Sequence, residues 1–213
     1  MKINLKIFIA VFIVSWGSIL VRWMGDVHPL VISFYRLFFS VILLLPLAFR
    51  KNNTNFKLDK KDFPLILLAG SFLAFHFVTW ISSLQMTTVG RSIFLESTHP
   101  IFAVILSFIF LKEKAPTFFM PALIIALSGM YLTVHHDFVS GSHALSGDGL
   151  ALLSALLISA YLLIARKISN KYLLAYYLIL VYGAAALILF LIIILLQINF
   201  LHFPASVWGL FFL

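Results

Sequence analysis

A chain of 213 residues that is 63% hydrophobic and only 10% charged, with a mean hydropathy of +1.11, lacks the polar side chains to clothe a water-facing surface, so lipid is its solvent. Its formal charge of +8 is dispersed in short basic clusters between apolar runs, the pattern of membrane topology signals, which sets nucleic-acid binding aside. The absence of cysteine excludes disulfide frameworks, thiolate metal sites and cysteine nucleophiles.

Seven apolar runs of spanning length follow one another, at 7–24, 29–49, 63–84, 92–111, 118–134, 149–165 and 172–196. Each is long enough to cross about 30 Å of hydrocarbon with little or moderate tilt. An eighth begins near Val207 and reaches only Leu213, so it reads as an unfinished helix. The predicted fold class is all-α, a polytopic membrane helical bundle.

The first run follows Lys2 and Lys6 as a secretory signal would, but it is longer than a signal core, holds Arg22 and lacks a small-x-small cleavage site, so it reads as a retained helix. Ser15, Trp16 and Ser18 fall near its middle, beside Gly17, which permits close helix approach. In the second run Arg36 lies roughly 10 Å below the nearer end at the helical rise, too deep to reach water comfortably. The third run carries His76, Thr79, Trp80 and Ser83 at i, i+3, i+4 and i+7, on one helical face. Such a face lines a cavity, with His76 titrating or bonding solute and Trp80 stacking on an amine or aromatic ring. The competing account makes His76 a core histidine bonded to a neighbouring helix.

The fourth run sets Glu96, Ser97, Thr98, His99 and Pro100 inside its apolar sequence before Lys112, Glu113 and Lys114 end it. A carboxylate there costs roughly 2.5–3.5 kcal/mol on insertion scales and marks a pathway or a partner. Glu96 shares its depth with Arg36 on an antiparallel helix, which predicts an ion pair between them. Pro100 removes a backbone donor and bends the helix. The following link contains HHDFVSGSH; His135, His136, Asp137 and His143 have zinc-ligand chemistry, but a solvated loop is the favoured reading.

Twelve of the fifteen Lys and Arg residues fall at alternate ends of the runs, on one side: Lys2, Lys6, Arg50, Lys51, Lys57, Lys60, Lys61, Lys112, Lys114, Arg166, Lys167 and Lys171. The positive-inside rule makes that side cytoplasmic and the amino terminus cytoplasmic with it. Sliding the chain by 144 lays 13–25 over 157–169, Ser15 on Ser159 and Arg22 on Arg166, in helices of opposite direction, as an inverted repeat requires. No phosphate-binding loop, H-E-x-x-H or G-x-S-x-G motif occurs, so neither an enzyme nor a cofactor is expected.

The chain resembles the EamA branch of the drug/metabolite transporter superfamily. The resemblance is carried by SWGS at Ser15–Ser18, by 28–49 with Arg36, by the hairpin through 79–114, and by the start of a second unit at 147–166. It implies ten helices in two inverted five-helix repeats, here 1–140 and the beginning of the second at 147–213, with both termini cytoplasmic and a central cavity between them. It also implies a secondary carrier in the plasma (inner) membrane exporting an amino acid or related small polar metabolite. Pro100 and Glu113 match the family's fourth-helix proline and charged end. Glu96 and His99 depart from the small or weakly polar residues usual there, which favours a polar or cationic solute, or protons as the coupling ion. The expected partners are that solute and the lipid bilayer. Trp16, Arg36, His76, Trp80, Glu96 and His99 are the expected lining of the route. A non-transporting scaffold or a lipid-acting membrane enzyme is the alternative, and would need these polar faces closed by packing.

Overall fold

The structure, a computed structural model, describes residues 2–49, 58–140 and 145–211, so Arg50, Lys51, Lys57 and His143 lie outside the described residues. Among the described residues nine α-helices follow in order: α1 Lys2–Trp23, α2 Pro29–Phe49, α3 Phe63–Met86, α4 Val89–Glu96, α5 His99–Leu106, α6 Phe119–Ser140, α7 Leu145–Ile168, α8 Leu174–Leu195 and α9 Ala205–Phe211. No strand occurs among the described residues. Among the described residues six segments are long and apolar enough to cross a membrane: Pro29–Ala48, Phe63–Met86, Val89–Leu111, Phe119–Phe138, Leu145–Lys171 and Leu174–Leu195. The predicted first run is also helical, as α1.

Local chemistry sets the ends. Pro29 opens α2 and Pro64 stands in the first turn of α3, where a missing N–H costs no helical bond. Gly25 turns the chain between α1 and α2 at φ +62°, a conformation that other residues adopt only with strain. The side chain of Gln85 fastens that turn by donating to the carbonyls of Gly25 (3.2 Å) and Val27 (2.9 Å). Thr88 caps α4 by accepting from Arg91 N at 3.2 Å.

Two predicted elements differ. The single bent helix at 92–111 is instead two helices, because the ladder lapses after the bond from Ser97 N to Ile93 O (2.9 Å). Thr98 N bonds back only to Leu95 O (3.2 Å), and Pro100 brings no N–H to bridge the gap. After α5 a π-type turn, Ser107–Leu111, ends at Lys112, which is left-handed at φ 56°. The predicted loop from His135 onward is helical to Ser140, because α6 is held at that end: Asp137 accepts from Thr88 Oγ1 at 3.0 Å, and Phe138 packs edge-on against Phe94 and lies beneath the Arg91 guanidinium, 4.7 Å away. His135, His136 and Asp137 are therefore helix residues, and among the described residues no group of three or more His, Cys, Asp or Glu is placed to hold a metal ion.

α3 is the hub, packed on α7, α8, α2, α1 and α4. Its contact faces are small. Gly147, Ala151, Ala155 and Ser159 recur every fourth residue on α7 and are all buried, as are Ala69, Gly70 and Ala74 on α3. Without a hydrophobic force between helices in lipid, such small stripes let backbones approach and gain dispersion contact. On the other flank Tyr35 of α2 donates to Phe200 O at 2.6 Å, and its ring lies 4.6 Å from that of Phe211 in α9. α5, by contrast, packs on α7 with its residues half-buried, Ile105 being exposed.

Candidate functional site

The polar residues inside the bundle gather along the α3–α7 seam. His76 of α3 is buried, with Nδ1 3.0 Å from the carbonyl oxygen and 2.8 Å from Oγ of Ser154 on α7. Its ring lies parallel to that of Trp80 at 6.4 Å. Ser159, one turn further along α7, donates to the carbonyl of His99 at 2.7 Å, at the start of α5. Ser83 of α3 donates to Ser92 of α4 at 2.9 Å, both fully buried. Thr79, expected on the same face, bonds instead to its own helix, at Phe75 O (2.8 Å) and His76 O (3.0 Å).

Arg36 reaches this seam from α2. Its guanidinium carbon stands 5.6 Å from the ring centroids of both Phe77 and Trp80, and Nη1 donates to Gly17 O on α1 across 3.4 Å. His76 lies within electrostatic range of both Arg36 and His99, which joins the groups from α2, α3 and α5. Glu96 and His99 face each other across the break between α4 and α5: His99 Nδ1 is 3.3 Å from Glu96 O and 4.0 Å from its Oε1.

The predicted Arg36–Glu96 ion pair is not formed; the partner of Glu96 is His99, and no carboxylate lies within 4.0 Å of Arg36 among the described residues. α2 packs on α8 and α3, whereas α4 packs chiefly on α7 and α6. Trp16 also stands apart. Its ring is 44% exposed and makes an edge contact with Phe12, while its neighbour Gly17 turns inward to Arg36. Five of the six expected lining residues, Arg36, His76, Trp80, Glu96 and His99, are thus strung along one seam.

Sequence reading missed the seam's ends. At one end Arg91 of α4 and Asp148 of α7 form a bidentate pair, side chains 6% and 14% exposed, with Nε 3.1 Å from Oδ1; Thr87 Oγ1 adds a donor at 3.2 Å. The four-residue spacing of small residues that begins at Gly147 is the signal that would have brought α7 against α3 and Asp148 into this corner. Nearby, Val21, Arg22, Gly25, Asp26 and Gln85 line an open polar pocket of about 310 Å³. At the opposite end Arg166 pairs with Glu113 at 2.5 Å, and Asp62 accepts from Lys171 Nζ (2.8 Å) and Tyr172 Oη (2.7 Å).

Those bonds, the one from Lys171 first and from Tyr172 second, hold the Asp62 carboxyl below its ordinary value of 3.8. A depressed carboxylate contributes stability above its unfolded value and loses it as pH falls through the folded one. The tie from α3 to 171–172 is therefore expected to hold at pH 5 and release below pH 3.8, and Asp62→Asn should abolish that acid step. Hydrogen exchange at the amides of 169–173, followed from pH 6 to pH 3, checks it.

Taken together, the described chain is a multi-pass helical membrane protein with polar contacts spaced between packed helices. It belongs to the EamA-like transporter family, whose model matches residues 1–135. Solute carrier family 35 member G1 of Mus musculus is 28% identical over 187 residues, covering 81% of this chain and 50% of the mouse protein. The S-adenosylmethionine uptake transporter of Rickettsia felis is 28% identical over 102 residues, 47% of this chain and 34% of the rickettsial one. The chain thus spans half the length of the first relative and a third of the second. One solved crystal structure shares the fold, with a TM-score of 0.72 at 14% identity, over 96% of this chain and 70% of its own.

Proposed function

We propose that the chain serves a secondary transporter that moves a small polar metabolite, an amino acid or related compound, across the plasma (inner) membrane by alternating access. In this reading 1–140 is one five-helix repeat, 147–213 opens a second, and the amino terminus is cytoplasmic. The observation that carries it is the break at Ser97 and Thr98. Irregular backbone at membrane depth is tolerated where it is enclosed by protein or lines a wet cavity, and discontinuous helices form midplane solute sites in carriers. Here the break is flanked by ionisable Glu96 and His99 and joined through Ser159 to the seam that holds His76.

The family supports transport as the general activity, and two directions of movement are to be tested. Outward movement follows from the family resemblance, whereas the rickettsial relative is named for uptake. The test is counterflow in proteoliposomes carrying the full chain, loaded with a defined metabolite mixture and assayed in both directions. Wild-type protein is expected to exchange at least one solute, and Glu96→Gln and His76→Ala each to slow it about 10- to 100-fold, the loss of one or two charge-assisted or buried hydrogen bonds. If both variants exchange at the wild-type rate, the seam is not the route. Proton coupling through Glu96 predicts that a pH gradient alone drives accumulation in wild type and not in Glu96→Gln.

A further inference from the structure

We infer that Arg36, with the Trp80 indole N–H beside it, is the subsite for a carboxylate on the transported solute. The inference rests on the transport reading above and names the chemical class of the cargo.

Most of the acids are answered within the protein: Asp62 by Lys171, Glu113 by Arg166, Asp148 by Arg91, Asp137 by Thr88 and Glu96 by His99. Arg36 is not answered by any of them. Its one hydrogen bond is the 3.4 Å contact to Gly17 O, which leaves most of its five N–H donors without an acceptor among the described residues. Phe77 and Trp80, each 5.6 Å away, orient the guanidinium by cation–π attraction without neutralising it. Trp80 Nε1 is itself buried and has no hydrogen-bond partner among the described residues. A buried donor left unmade costs about 1–3 kcal/mol, so the sealed Trp80 N–H, beside a half-buried cation that makes one long hydrogen bond, marks a position completed by an acceptor.

The two donors are neighbours, since the guanidinium carbon stands 5.6 Å from the centroid of the ring that carries Nε1. One carboxylate, with two oxygens each accepting at about 2.9 Å, is the right size to serve both. Charge selects the class. One cation and one neutral donor balance a single negative charge, whereas a phosphate dianion would leave charge uncompensated at membrane depth. The planar fork of arginine also matches a carboxylate edge-on. Gly17 keeps the approach clear, because a Cβ there would stand 3.1 Å from Nη2.

The experiment extends the counterflow assay to matched sets: the twenty common L-amino acids, short monocarboxylic acids, phosphate monoesters, nucleosides and polyamines, followed by the amide and the methyl ester of every carboxylate that moves. The expected result is that movers carry a carboxylate and that amide and ester forms are slower by about 30-fold, the worth of a charge-assisted pair. Trp80→Phe, which keeps the ring and its packing but removes the N–H, should raise KM about 5- to 10-fold at unchanged maximal rate. Arg36→Lys should retain part of the preference and Arg36→Gln none. Amides, amines or phosphate esters moving as well as free acids, in protein that is monodisperse and active, would overturn the carboxylate subsite while leaving transport intact. If no solute moves in wild type, the transport reading falls and this inference with it.

Discussion

Asp148→Ala should cost on the order of 3–5 kcal/mol of stability, because it leaves Arg91 charged and almost sealed from water. Arg91 is 6% exposed, lies against Phe138 and already has one nitrogen, Nη1, with no hydrogen-bond partner. Removing its bidentate acceptor strands the remaining donors in a corner closed by α3, α4, α6 and α7. Arg91→Ala should cost less than Asp148→Ala, since Asp148 is more exposed at 14% and retains the Thr87 hydroxyl. In the double variant part of the loss returns, because neither charge is then stranded, and the difference measures the pair's coupling. Thermal unfolding of purified protein in detergent reads all three. A fall of less than 1 kcal/mol for Asp148→Ala would mean that water enters the corner.

Gly70→Leu is the second large effect. A Cβ at this position would stand 2.8 Å from Ala184 Cβ and 3.1 Å from both Ala185 N and Val181 O on α8. Two of those three atoms are backbone, so no rotamer change makes room and α3 has to move away from α8. The expected loss is about 3 kcal/mol, the upper end for overpacking, from separating helices whose dispersion contact is their main attraction. Gly129→Leu, where nothing lies within 4 Å, is the matching control and should leave the unfolding midpoint in place. Equal midpoints for the two variants would contradict the close packing of α3 on α8.

Hydropathy made the spans legible, since it depends only on the run of side chains along the chain. Apart from the divided run at 92–111, the helices lie where that reasoning put them. Depth was legible for the same reason: residues counted from a helix end give height in the membrane. Azimuth was not. Arg36 turns to Gly17, Phe77 and Trp80 and Glu96 to His99, and no count along the chain distinguishes these arrangements. The stripe at His76 was half legible. The shared face was real, but one of its members, Thr79, spends its hydroxyl on its own helix, as threonine in an apolar medium readily does. The pairing of Arg91 with Asp148, 57 residues apart, required knowing which helices are neighbours.

The ties between α7 and the broken pair α4–α5 occur at three levels: Asp148 with Arg91, Ser159 with His99, and Arg166 with Glu113 just beyond the π-type turn. These rungs make the two lengths of chain a ladder that resists shearing, although they belong to different halves of the proposed repeat. Moving α7 along that line would break all three contacts at once.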